Sequence, residues 1–71
     1  MKIIFSKHAE ERLAERRIHK KLVMETLLSP DWYRPTFKGR ILVRKKMGAL
    51  TVEAIYMEDE DAMIVITCYL L

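Results

Sequence analysis

Apolar residues recur along this chain with two different periods, and the change falls near Asp31. Lys2 to Phe5 is short and apolar enough for an opening strand or an extended lead-in. Ser6 is placed to cap a helix over about Lys7 to Arg17, in which Ala9 and Leu13 are the main inward candidates. A second helix is predicted from His19 or Lys20 to Leu28, with Leu22, Val23, Thr26 and Leu27 at helical spacing. Ser29-Pro30-Asp31 ends it, because the residue before a proline resists α geometry.

Beyond Asp31 the spacing falls to two. Trp32 to Phe37 is aromatic, contains Pro35 and reads as an edge strand or strand-like loop, since proline cannot donate to a central ladder. Lys38-Gly39 is predicted to turn. Strands follow at Arg40 to Lys46, Leu50 to Met57 and Ala62 to Leu71, with turns at Met47-Gly48 and at Glu58 to Asp61. Connections this short join antiparallel neighbours, and the preceding helices cover one face. The expected fold is α+β in the order β-α-α-β-β-β, with two N-terminal helices packed on one face of an antiparallel sheet of three to four strands.

Alternation assigns the faces. In the last strand Ile64, Ile66, Cys68 and Leu70 share one side, and Met63, Val65, Thr67, Tyr69 and Leu71 the other. Leu50, Val52, Ala54 and Tyr56 oppose Thr51, Glu53 and Ile55; Ile41 and Val43 oppose Arg40, Leu42, Arg44 and Lys46. With the aliphatic sides under the helices, Arg40, Arg44, Thr51, Glu53, Thr67 and Tyr69 are left together on the second face. A half-polar second face is ordinary for an antiparallel sheet.

With 71 residues the chain makes one domain of marginal intrinsic stability, which a partner chain or a homodimer would improve. The N-terminus lacks the pattern of a secretory signal, and the apolar run from Ala62 to Leu71 is far short of a membrane span, so a cytoplasmic protein with no membrane partner is expected. The lone cysteine, Cys68, lies inside that run and reads as a buried, small hydrophobe in a reducing compartment.

Charge changes the picture more than size does. All thirteen Lys and Arg residues precede Met47, against five acids there, a net +8; the remainder has five acids and no base, a net −5. Folded onto one surface, the basic segments suit a polyanion, and nucleic-acid phosphate is the commonest. Within them, His8, Arg12 and Arg16 stand four apart, which on a helix sets an imidazole and two guanidiniums along one stripe. Glu15 offers the plain alternative, a solvated face of mixed charge. Two histidines and one cysteine supply no zinc constellation, the run Glu58-Asp59-Glu60-Asp61 reads as a solvated turn rather than a calcium site, and neither glycine belongs to a phosphate-binding loop, so no metal and no cofactor are expected.

The string His8-Ala9-x-x-Arg12-x-x-x-Arg16-x-Ile18, followed by Ser29-Pro30-Asp31, Gly39-Arg40 and Val65-Ile66-Thr67-Cys68-Tyr69, resembles the bacterial family called domain of unknown function 4258. That family looks like a branch of the RelE/ParE-like toxin superfamily. The resemblance spans nearly the whole chain and implies a RelE-like fold, two helices on a curved antiparallel sheet, and a nucleic-acid site built from His8, Arg12, Arg40 and the end of the last strand.

The implied activity is metal-independent RNA cleavage, in which a ribose 2′-hydroxyl attacks the adjacent phosphate. In that scheme His8 acts as general base or acid, Arg12, Arg16 and Arg40 clamp phosphate, and Tyr69 donates a proton or stacks on a base. Thr67 would bond a phosphate oxygen, while Arg44, Lys45 and Lys46 extend the RNA-binding surface. The implied partners are RNA, in a ribosomal context or free of it, and an antitoxin protein. Two other readings stand beside it: a non-catalytic nucleic-acid- or ribosome-binding module, and a protein-interaction domain whose arginines take an acidic partner.

Overall fold

Ser6 sits between the first strand and the first helix in the computed structural model, which describes residues 2–71. In chain order the elements are β1 (Lys2–Phe5), α1 (Lys7–Arg16), α2 (Lys20–Leu28), β2 (Trp32–Pro35), β3 (Arg40–Met47), β4 (Leu50–Asp59) and β5 (Ala62–Leu70). The Ser6 hydroxyl accepts from Ala9 N at 3.0 Å, the expected cap. Arg17, left-handed at φ 53°, closes α1, and Ile18 N returns to Leu13 O at 2.9 Å. This is a Schellman-type end, with the buried Ile18 and Leu13 supplying its apolar contact. The second helix stops at Leu28, two residues before Pro30.

Both helices pack on one face of a single sheet ordered β1-β5-β4-β3-β2. The fold is α+β, in the order β-α-α-β-β-β-β. The sheet is larger than the sequence suggests, and mixed rather than purely antiparallel: β1 runs parallel to β5, with Lys2 opposite Ala62 and Phe5 opposite Val65. Short turns reveal antiparallel neighbours only, whereas this parallel pair closes across some sixty residues and leaves no local sign. On the opposite edge β2 pairs antiparallel with β3, which leaves Pro35 where its missing N–H does least harm. Between them Lys38 (φ 62°) and Gly39 (φ 70°) make the predicted turn.

Strict alternation fails once, inside β5. Ile55 faces Thr67 but Tyr56 faces Val65, so Ile66 is an extra residue and the strand bulges there. Met63 and Val65 therefore join Cys68 and Leu70 on the helix side, and Ile64, expected among them, faces away across from Met57. Thr67 and Tyr69 keep the outer side through the same irregularity. The core beneath the helices gathers Ala9, Leu13, Ile18, Val23, Leu27, Val43, Val52, Ala54, Met63, Val65 and Cys68. Among the described residues no helix is long and apolar enough to cross a membrane.

Candidate nucleic-acid interface

The bulge does more than flip a strand. The Ser6 backbone N–H donates to Val65 O at 3.1 Å and its hydroxyl to Ile66 O at 3.3 Å, so the start of α1 is fastened to the irregular point of β5. Past Phe5 no strand among the described residues covers this side of β5. Arg16, at the other end of α1, fills the vacancy: its Nη1 donates to Cys68 O at 2.9 Å, and its guanidinium lies 4.5 Å from the centre of the Tyr69 ring. Two candidates separated by 53 positions in sequence are in contact. The α1 stripe of His8, Arg12 and Arg16 thus continues onto the outer sheet face.

From Tyr69 a row of polar and aromatic groups crosses three further strands. Tyr69 stands opposite Glu53, and Glu53 opposite Arg44, whose Nε donates to Glu53 Oε1 at 2.7 Å. Arg44 also lies 4.9 Å from the Trp32 ring, with Arg34 over the same ring at 5.5 Å. Sequence reasoning passed over Trp32 and Arg34 as site residues. Their signal was a spacing of two on one strand, in a stretch from Trp32 to Val52 that holds six bases and no acid.

Other candidates are spread more widely. Arg40 faces Met57, four residues along β4 from Glu53. At the strand rise that is about 13 Å from the Glu53 row, and Arg40 is two strands away from Tyr69. Lys45 points to the helix side, where its Nζ donates to Ser29 O at 2.7 Å and lies 3.8 Å from Asp31, holding the end of α2. Lys46 shares the outer face and is exposed. Thr67 faces outward yet is only 6% exposed, and its hydroxyl has no hydrogen-bond partner among the described residues.

On the stripe itself, Arg12 pairs with Glu15 one turn on. Such an exposed pair is worth less than about 1 kcal/mol, so a phosphate can displace the carboxylate. The His8 side chain is exposed and makes no hydrogen bond or ion pair with the described residues. Arg16 lies eight positions on, roughly 12 Å along the axis. The arrangement is an extended cationic line rather than a compact cluster around one atom.

Among the described residues two groups titrate away from their ordinary values. Burial pushes the Cys68 thiol up, partly opposed by the Arg16 guanidinium. The Tyr56 hydroxyl is raised by burial, with Glu58 and Tyr33 adding to the effect. Neither lies on the stripe. A cleft of about 450 Å³ opens at the far end of the sheet, lined by Lys2, Ile4, Ala62, Ile64 and the carboxylates of the β4–β5 turn, a setting that repels phosphate. Among the described residues no three His, Cys, Asp or Glu side chains are grouped to hold a metal ion.

Fold and site together define a small α+β domain with a cationic seam where its first helix meets the end of its last strand. The chain belongs to the family described as domain of unknown function DUF4258, which matches residues 5–70. No curated protein and no solved structure matches it.

Proposed function

We propose that this chain is a RelE-like, toxin-type domain that acts by binding RNA, with the α1–β5 seam holding the phosphodiester backbone. The observation that carries this reading is Arg16 laid on Tyr69, which joins a helical line of basic side chains to a sheet face. Guanidinium forks suit phosphate oxygens, and a ring already carrying a cation can accept a neighbouring base. Two helices over one side of a mainly antiparallel sheet are in keeping with the superfamily resemblance. A neutralising protein partner would place acidic side chains along the same line.

The test is binding of a labelled 20-nucleotide RNA, followed by fluorescence anisotropy as salt is raised. Affinity should fall steeply with salt, and Arg16→Ala should weaken binding and lower the slope of log affinity against log salt by about 1. Wild-type protein that shows no salt-sensitive binding defeats the proposal.

Cleavage is the second reading, favoured by one observation: His8 is exposed and unpaired among the described residues, one turn from Arg12. In that reaction the 2′-oxygen bonds to phosphorus while its proton passes to His8. The bond from phosphorus to the 5′-oxygen breaks, and that oxygen takes a proton from water. The products are a 2′,3′-cyclic phosphate and a 5′-hydroxyl. Loss of these products in His8→Ala, with RNA affinity retained, is the expected result; cleavage undiminished in that variant removes His8 from the chemistry.

A further inference from the structure

Three rings crowd the outermost hairpin. Trp32, Tyr33 and Phe37 are 40%, 66% and 77% exposed, in a domain whose remaining aromatics are at least half covered. Trp32 and Arg34 share the outer face of β2, and Arg40, Arg44 and Lys46 share the outer face of β3 beside it. Phe37 stands at the tip between the two strands. The only carboxylate registered against these cations on the neighbouring strand is Glu53, which Arg44 already engages. Arg34, Arg40 and Lys46 have no ion pair among the described residues. Tyr33 points the other way, to the helix side.

We infer that the outer face of the β2–β3 hairpin is a track for unpaired RNA, with the open Phe37 ring, and the Trp32 ring that already carries the Arg34 and Arg44 guanidiniums, meeting bases while Arg40 and Lys46 follow the phosphates. This rests on the RNA-binding reading and deepens it by naming the form of RNA. Phosphate binding alone calls for cations and leaves an exposed phenylalanine without a purpose. In a duplex the base faces are stacked on one another, whereas a single strand can present them to a ring. The track also meets the seam, since Trp32, Arg44, Glu53 and Tyr69 lie in one row.

Trp32 is the sole tryptophan, so its emission reports on its own surroundings. The experiment titrates the full chain with a 12-nucleotide single-stranded RNA and with the same strand in a duplex, at equal salt, for wild type, Phe37→Ala and Tyr33→Ala. Both substituted side chains are exposed, so folding is not at stake. The expected result is quenched emission, single strand bound at least tenfold more tightly than duplex, a loss of about 5- to 100-fold for single strand in Phe37→Ala, and no change in Tyr33→Ala. Equal affinity for the two forms, with steady emission and no effect of Phe37→Ala, overturns the track while salt-sensitive RNA binding stands. Absence of binding to either form overturns both readings. Self-association without RNA that both substitutions abolish also overturns the track, since the rings would then serve a protein interface.

Discussion

Arg44 Nε donates to Glu53 Oε1 at 2.7 Å, and the two residues are unequally placed: Glu53 is 8% exposed, Arg44 about half covered. The pair is therefore asymmetric in energy. Arg44→Ala strands a nearly buried carboxylate, while Glu53→Gln leaves a guanidinium that can turn to water. Because solvent reaches the arginine side, the penalty for Arg44→Ala should be about 1–3 kcal/mol rather than that of a fully buried pair. Glu53→Gln should cost less than about 1 kcal/mol, and combining the two should recover most of the loss. Urea unfolding of the three variants checks this; a costlier Glu53→Gln would show that the carboxylate has support beyond Arg44.

Ser6 works in two directions at once, accepting from Ala9 N and donating to Ile66 O. Ser6→Ala should lose about 1 kcal/mol as an ordinary cap does. The distinguishing variant is Ser6→Asp. Aspartate is normally as good a cap as serine, yet here a carboxylate cannot donate and would face the Ile66 carbonyl. Ser6→Thr should therefore keep most of the stability, and Ser6→Asp should not. Exchange of the Ala9 amide proton gives the local readout, with protection lost in Ser6→Ala and kept in Ser6→Thr.

Much of this arrangement was legible in the residues. Both helices, the Ser6 cap, the halt before Pro30 and the hairpins of β3, β4 and β5 follow from local rules, and the structure keeps each bound within two residues. Arg40, Arg44, Thr51, Glu53, Thr67 and Tyr69 share one face, as alternation predicts. Two features were out of reach for the same reason. The parallel β1–β5 pair and the bulge at Ile66 are settled by partners distant in sequence, and neither changes the local pattern. The stripe was legible as a stripe. Its meeting with Tyr69 depends on how α1 crosses β5, and the distance of Arg40 from that meeting depends on register.

Glu60 occupies a turn that would suit glycine. It is the first of two residues joining β4 to β5 and has φ 56°. In the preceding hairpin, Gly48 takes the equivalent place at φ 63°, the type II′ arrangement. A side chain in this region costs roughly 1–2 kcal/mol, partly offset by the extra freedom glycine has when unfolded. Glu60→Gly should raise stability by about 0.5–1 kcal/mol, or several degrees in Tm for a domain of this size. Thermal unfolding by circular dichroism decides it; an unchanged or lowered Tm would mean that the Glu60 side chain has favourable contacts beyond its strained backbone.

Cys68 links the core to the seam, since it is wholly buried while its carbonyl oxygen receives Arg16. Burial holds the thiol protonated above its ordinary value of 9.0. In the unfolded chain the thiol ionises from about that pH upward, so the folded state then binds more protons than the unfolded one. Stability is therefore fully present below pH 9 and declines as pH rises, by at most about 1.4 kcal/mol per pH unit for this group. Tyr56, raised from 10.0 by burial, adds a second loss at higher pH. Cys68→Ala should lower stability at neutral pH through lost packing, yet flatten the dependence between pH 9 and 10. Arg16→Ala should act in the opposite sense, because removing the nearby cation raises the thiol further and extends the decline to higher pH. Denaturant unfolding across pH 7–11, with thiolate absorbance recorded in parallel, separates the two; identical alkaline slopes in wild type and Cys68→Ala would remove the thiol as the cause.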